Sequence, residues 1–249
     1  MAHFFEHLPG LDMYRYLPQI NTTQNEKKIK SIRQFIKKNK LSCLTHFTRA
    51  DNLKSILQTG ILPASILNSN KTFSSVQRNS VTLPPEWSGL VSMNLSFPDY
   101  KLFNQLQKYE PIDWVILLID IRVLINFPCY FFPGRAVNFL EQASAPGQVL
   151  RDFQNASDLK ALFTDLEDIK RKDLDIPSFY PTDPTSEVLS FFPIAPSDIT
   201  QVYFPNDYKF NQWVLHNTEF AMTQDRNRWT VGLEYFSPRS DYPFWKTKR

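Results

Sequence analysis

Glycine most constrains what this chain can fold into. The sequence holds six, at positions 10, 60, 89, 134, 147 and 232, and no two lie within ten residues of each other. Average usage would place about 17 in a chain of this length. A Gly-x-Gly-x-x-Gly turn needs closely spaced glycines so that the backbone can approach a diphosphate, and a phosphate-binding loop needs a similar cluster. Neither can be built here. A nucleotide, if one is bound, must be held by side chains instead.

The remaining composition is that of an ordinary globular chain. Hydrophobic residues make up 42% and charged residues 21% of 249 residues, which predicts a single domain spanning 1–249. Two cysteines, Cys43 and Cys129, cannot build a disulfide framework. Both sit in apolar surroundings and read as buried free thiols, which fits a reducing cytoplasm. With His3, His7, His46 and His216 they show no zinc spacing, so no metal is expected. The segment MAHFFEHLPG lacks a basic stretch followed by an apolar one, so no secretory leader is predicted. The most apolar run, Trp114 to Ile119, is interrupted by Asp120 and Arg122, far short of the roughly 20 residues that span a bilayer.

Net charge is +3, and its distribution matters more than its size. Between Lys27 and Lys40 the chain carries seven basic residues and no acid. Ile29, Ile32, Phe35 and Ile36 recur at helical spacing, so the spacing predicts a helix over 24–39 with an apolar stripe and a basic outer face. A second basic cluster closes the chain: Arg226, Arg228, Arg239, Lys246, Lys248 and Arg249. Two readings stand, a solvated face and a phosphate-contacting surface.

The patterning predicts an α+β protein. Strands are expected at 41–47, 90–97, 114–121, 187–192, 199–204 and 229–236. Helices are expected at 50–58, capped by Gly60, and at 100–108, 135–144, 155–172 and 207–216. The stretch 63–88 reads as a long loop, a kind that is usually functional. Three polar residues stand beside apolar strands or in that loop: His46, Glu187 and Arg78. Each alone also reads as an ordinary structural or solvated side chain.

Their order carries more. His46-Phe47-Thr48-Arg49-Ala50-Asp51-Asn52-Leu53-Lys54-Ser55-Ile56-Leu57-Gln58-Thr59-Gly60 resembles the opening NAD-binding motif of the DarT toxins, which are ADP-ribosyltransferases that modify bases in DNA. Three later segments match in order: Met93 to Phe103, Asp113 to Asp120, and Tyr180 to Leu189. The resemblance is strongest over 30–205. The chain departs from the family at Thr185-Ser186-Glu187, where Gln-Ala-Glu is common, and at Gly134-Arg135-Ala136, where many relatives have an Asn-Ala-Ala run. Residues 206–249 match nothing in it and read as a C-terminal extension.

The resemblance implies an ADP-ribosyltransferase-like split β-sheet core with flanking helices. It implies that NAD is consumed as a substrate in a pentosyl transfer through an oxocarbenium-like state. In that reading Glu187 is the catalytic carboxylate that favours positive charge on the ribose and takes the acceptor's proton. Arg78 is a second catalytic residue, placed to hold phosphate or polarise the acceptor. His46, Thr48 and Asn52 bind NAD, and Ser96 and Tyr100 line the nicotinamide pocket, with Phe103 either beside them or in the core. The acceptor implied is thymidine in single-stranded DNA, with RNA bases as the alternative. Trp87, Tyr130 and Phe131 would either stack such a base or lie in the core. Partners implied are single-stranded DNA or RNA and an antitoxin protein, one sometimes assisted by a chaperone, in a toxin–antitoxin or anti-phage system in the cytoplasm with no membrane association. A third reading is a catalytically inactive module that binds nucleic acid or a partner.

Overall fold

The computed structural model describes residues 22–69, 87–141, 150 and 152–247. Among the described residues seven strands form one mixed sheet: β1 (Cys43–Arg49), β2 (Val91–Leu95), β3 (Trp114–Asp120), β4 (Cys129–Phe132), β5 (Glu187–Ser190), β6 (Ile199–Phe204) and β7 (Trp229–Val231). The strand order is β4-β5-β2-β1-β3-β6-β7; the β6–β7 pair is parallel and the other pairs of these strands are antiparallel. The architecture is α+β, as the patterning predicts.

Helices cover both faces: α1 (Thr22–Asn39), α2 (Leu53–Thr59), α3 (Ala64–Ser69), α4 (Tyr100–Tyr109), α5 (Val123–Asn126), α6 (Ala136–Leu140), α7 (Ala156–Ala161), α8 (Asp207–His216), α9 (Thr218–Met222) and α10 (Tyr242–Thr247). The two faces can be read along β3. Val115, Leu117 and Ile119 join the core built with Ile32, Leu53 and Trp213, while Trp114, Ile116 and Leu118 join a second core with Phe103 and Trp245. A strand buried on both faces has no polar side, which is why this run is apolar throughout. A smaller cluster around Trp87, Leu90, Phe132 and Leu140 closes the β4–β5 edge.

The helix predicted over 155–172 ends at Ala161, because the N–H and hydroxyl of Thr164 both bond the Ala161 carbonyl and close the last turn. The strand predicted over 229–236 stops at Val231, and Tyr235 turns into the core instead. Strand β4 was not predicted. It is four residues long, between Pro128 and Pro133, too short for a periodicity to register. Within the expected loop 63–88 the chain forms α3, and residues 70–86 lie outside the described ones. Gly60 caps α2 as expected, at φ 90°. A Cβ there would stand 2.2 Å from the Ile194 carbonyl oxygen, so only glycine fits.

The segment after residue 206 packs into the same cores through Trp213, Tyr235 and Trp245. Arg239, expected on a basic surface, is instead buried. Its guanidinium pairs with Asp241, donates to the Pro181 and Thr182 carbonyls at 3.0 and 3.5 Å, and lies over the Tyr180 ring. Trp245 completes the arrangement by donating to Asp241 at 2.7 Å. The C-terminal segment thus holds the loop that leads into β5. No helix among the described residues is long and apolar enough to cross a membrane.

Candidate active site

The sheet opens between β1 and β2. These strands pair at only two positions, Leu44 with Leu95 and Thr45 with Asn94, whereas β1 pairs with β3 along its whole length. Beyond Thr45 the His46 ring spans the gap, and its Nδ1–H donates to the Ser92 carbonyl at 3.0 Å. A cavity of about 260 Å³ occupies the opening. His46, Thr48, Asn52, Ser92, Arg135 and Glu187 are among its lining residues.

Glu187 reaches this opening because β5 pairs with β2 and sets Glu187 directly opposite Asn94. Ser92, two residues along the same strand, shares that face. Its hydroxyl donates to Glu187 Oε1 at 2.7 Å, and the Ala136 N–H donates to Oε2 at 2.5 Å. Burial nevertheless holds the Glu187 carboxyl above its ordinary range, against the pull of these two donors and of nearby Arg135. The result is an oriented, poorly solvated carboxylate, suited to meeting positive charge or taking a proton.

His46 lies across Ser92 from Glu187. Burial pushes its pKa below the ordinary 6.5, so the ring is neutral near neutral pH. A carbonyl can only accept, so Nδ1 carries the proton and Nε2 presents a lone pair. Such a nitrogen can accept from a sugar hydroxyl. Thr48 and Asn52 are both buried, line the cavity, and are joined by a 3.3 Å bond from Asn52 Nδ2 to the Thr48 hydroxyl. Three of the predicted substrate-binding residues and Glu187 therefore come together.

Two others do not. Strand β2 ends at Leu95, and Ser96 takes φ 64°, which breaks the two-residue alternation that would have brought it beside Ser92 and Asn94. Among the described residues its hydroxyl is buried without a partner, and it does not line the cavity. Tyr100 is buried against Tyr242 in the second core, also away from the lining. Phe103 is a core residue packed on Phe47 and Trp114. Trp87 and Phe131 are equally buried, and Tyr130 packs against the third cluster, so the core reading holds for all three. Arg78 lies outside the described residues.

Four contributors were missed: Ser92, Asn94, Asp99 and Arg135. Asn94 donates to the Ser186 carbonyl at 3.0 Å and accepts from the Asp99 N–H at 3.1 Å, tying the start of β5 to the start of α4. Asp99 caps α4 by accepting from the Leu102 N–H, and its second oxygen accepts from Arg135 Nε at 2.9 Å. The signal was present in Leu90-Val91-Ser92-Met93-Asn94, where polar residues alternate along an apolar strand. Among the described residues no cluster of three or more His, Cys, Asp or Glu side chains is placed to hold a metal ion.

No family model matches the chain, and no curated protein does. Solved structures do. The chain is similar to structures of DarT proteins. DarT of Thermus sp. 2.9 in complex with carba-NAD+ is 15% identical, with a TM-score of 0.48 over 76% of this chain and 94% of that one. The same DarT in complex with ADP-ribosylated ssDNA is 15% identical, with a TM-score of 0.49 over 79% and 96%. DarTG of Thermosipho africanus in complex with ADP-ribose is 16% identical, with a TM-score of 0.45 over 76% of this chain and 49% of that one.

Proposed function

We propose that the chain is a DarT-like mono-ADP-ribosyltransferase that consumes NAD and modifies a nucleobase, thymidine in single-stranded DNA. The observation that carries this reading is the carboxylate of Glu187, fixed by Ser92 and Ala136 in the opening between β1 and β2, across Ser92 from a neutral His46. The residues fit the dinucleotide. His46 Nε2 and the Thr48–Asn52 pair offer acceptors and donors to ribose and amide groups. Glu187 is oriented to stabilise charge where the bond from ribose C1′ to nicotinamide breaks. As the new bond from C1′ to a base nitrogen forms, that nitrogen's proton passes to Glu187. A base does this chemistry only when unpaired, which favours a single strand. The exposed residues Lys27, Lys30, Arg33, Lys37 and Lys38 on α1 offer a surface for its phosphates. A chain with this activity would harm its own cell and would need a partner protein to restrain it.

The test is to incubate the protein with labelled NAD and separate DNA and RNA oligonucleotides, then locate the adduct by mass spectrometry. Label on thymidine of DNA is expected. Label on RNA alone would overturn the acceptor and leave the transfer chemistry standing. Glu187→Gln keeps the shape and removes the charge, and should lower transfer by roughly 10²- to 10³-fold. A Glu187→Gln variant that transfers and harms cells as the parent does would overturn the enzyme reading in favour of a binding module.

A further inference from the structure

Among the described residues the wall of the cavity contains one cation, Arg135, whose hydrogen-bonding capacity is only part used. Arg135 precedes α6 and is held by a single bond, from Nε to Asp99 Oδ2 at 2.9 Å. Asp99 is itself fixed, because its other oxygen caps α4 at the Leu102 N–H and its own N–H is bound to Asn94. Its side chain is 4% exposed, while that of Arg135 is 30% exposed. One edge of the guanidinium is therefore clamped to a buried, immobile carboxylate. Among the described residues its Nη1 and Nη2 have no partner.

Arg135 makes no hydrogen bond to Glu187, whose oxygens are served by Ser92 and Ala136, and acts on that carboxylate only through space. What remains is a planar pair of N–H groups lining the cavity, one residue from the amide that holds the catalytic carboxylate. A guanidinium fork of this kind matches two oxygens of one phosphate.

The geometry points to Arg135 as a phosphate-binding residue of the cleft, positioned by Asp99, that grips the phosphate of a substrate whose reacting end lies at Glu187. This inference rests on the function proposed above. The phosphate comes either from the diphosphate of NAD or from the backbone of the acceptor strand. Because Arg135 and Asp99 are jointly neutral, the gain comes from directed hydrogen bonds rather than from net charge. Its loss should cost about 10- to 100-fold in affinity.

The test compares the parent, Arg135→Met and Arg135→Lys. Arg135→Lys keeps the ion pair with Asp99 and loses the fork, so it carries the comparison if Arg135→Met fails to fold. Affinities for NAD and for inorganic pyrophosphate are measured by calorimetry, and affinity for a single-stranded oligonucleotide by fluorescence anisotropy. Nicotinamide, which lacks phosphate, serves as the control ligand. A loss for NAD and pyrophosphate with unchanged nicotinamide binding assigns the diphosphate. A loss for the oligonucleotide alone assigns the acceptor backbone. Folded variants that bind NAD, pyrophosphate and oligonucleotide as the parent does would overturn the role of Arg135 and leave the proposed function intact. A parent that binds neither NAD nor oligonucleotide would overturn both.

Discussion

Replacing Ser92 with alanine tests the core of the proposed mechanism. The substitution removes one hydroxyl and leaves the backbone unchanged, so the Ser92 carbonyl still receives the His46 proton and the pairing with β5 is kept. What is lost is the 2.7 Å bond to Glu187 Oε1. The Ala136 N–H on Oε2 is then the remaining donor among the described residues. A hydrogen bond to a charged group contributes about 1.5–3 kcal/mol. The hydroxyl stabilises the ionised carboxylate more than the protonated acid, so its removal acts in the same direction as burial and drives the pKa of Glu187 further up. Near neutral pH, kcat/KM for transfer should fall roughly 10- to 150-fold. The acid limb of its pH profile should move to higher pH, so that part of the loss is recovered in alkaline solution. Ser92→Thr, which restores a hydroxyl, should return toward the parent profile. The assay is nicotinamide release from NAD in the presence of oligonucleotide, measured across pH, with thermal unfolding as the control for folding. A loss that is uniform at every pH, with the acid limb unmoved, would refute the idea that Ser92 holds the ionised form.

Three further outcomes follow from the same structure. Because burial lowers the folded-state pKa of His46 below the ordinary 6.5, the unfolded chain binds the extra proton first, and His46 should cost stability as pH falls below about 6.5; denaturant unfolding from about pH 7 to about pH 5 should show a shallower decline in His46→Gln than in the parent. Arg239→Met leaves Asp241 buried with Trp245 as its remaining side-chain donor, and should destabilise by about 3–5 kcal/mol in denaturant titrations, whereas an apolar replacement of both partners should cost less. Gly60→Ala puts a methyl group 2.2 Å from the Ile194 oxygen at a φ that disfavours side chains, and should lower Tm by at least about 4 °C.

Much of the sheet was legible because its central strands are extreme cases. Trp114 to Ile119 is apolar throughout since both of its faces are covered, and the Ser-x-Asn alternation in β2 marks a strand with one polar face. The polar lining of the cavity was legible where it sits in regular structure, as with His46 on β1, Thr48 on the same strand, and Glu187 at the start of β5. It failed at Ser96, where a left-handed residue ends the strand one step too soon for alternation to hold. It also failed at Tyr100, because a helix that borders a cavity sends only part of its circumference there; Leu102 and Leu106 line the cavity while Tyr100 packs on Tyr242. Arg135 was missed and Arg239 was placed on the surface for one reason. Whether an arginine is solvated, clamped or buried depends on the acceptors the fold brings to it, Asp99 from 36 residues away in one case and the Pro181 and Thr182 carbonyls from 58 and 57 residues away in the other.

In the proposed function, the opening between β1 and β2 is what would let a glycine-poor chain hold a dinucleotide. A Gly-rich loop supplies bare backbone amides to a diphosphate. Here the backbone pairing itself is interrupted, and the groups freed by the interruption are taken up by side chains. The Ser92 carbonyl, no longer in register with β1, accepts from the His46 ring, and the Ser92 hydroxyl donates to Glu187. One residue therefore fixes both the His46 ring, through its backbone carbonyl, and the Glu187 carboxylate, through its side-chain hydroxyl. Restoring strand pairing past Thr45 would bring Phe47 opposite Ser92 and close the cavity. The polar side chains at positions 46 and 92 thus serve the fold and the proposed site together: they satisfy a gap that a continuous sheet would not have, and that gap is where the proposed substrate would enter.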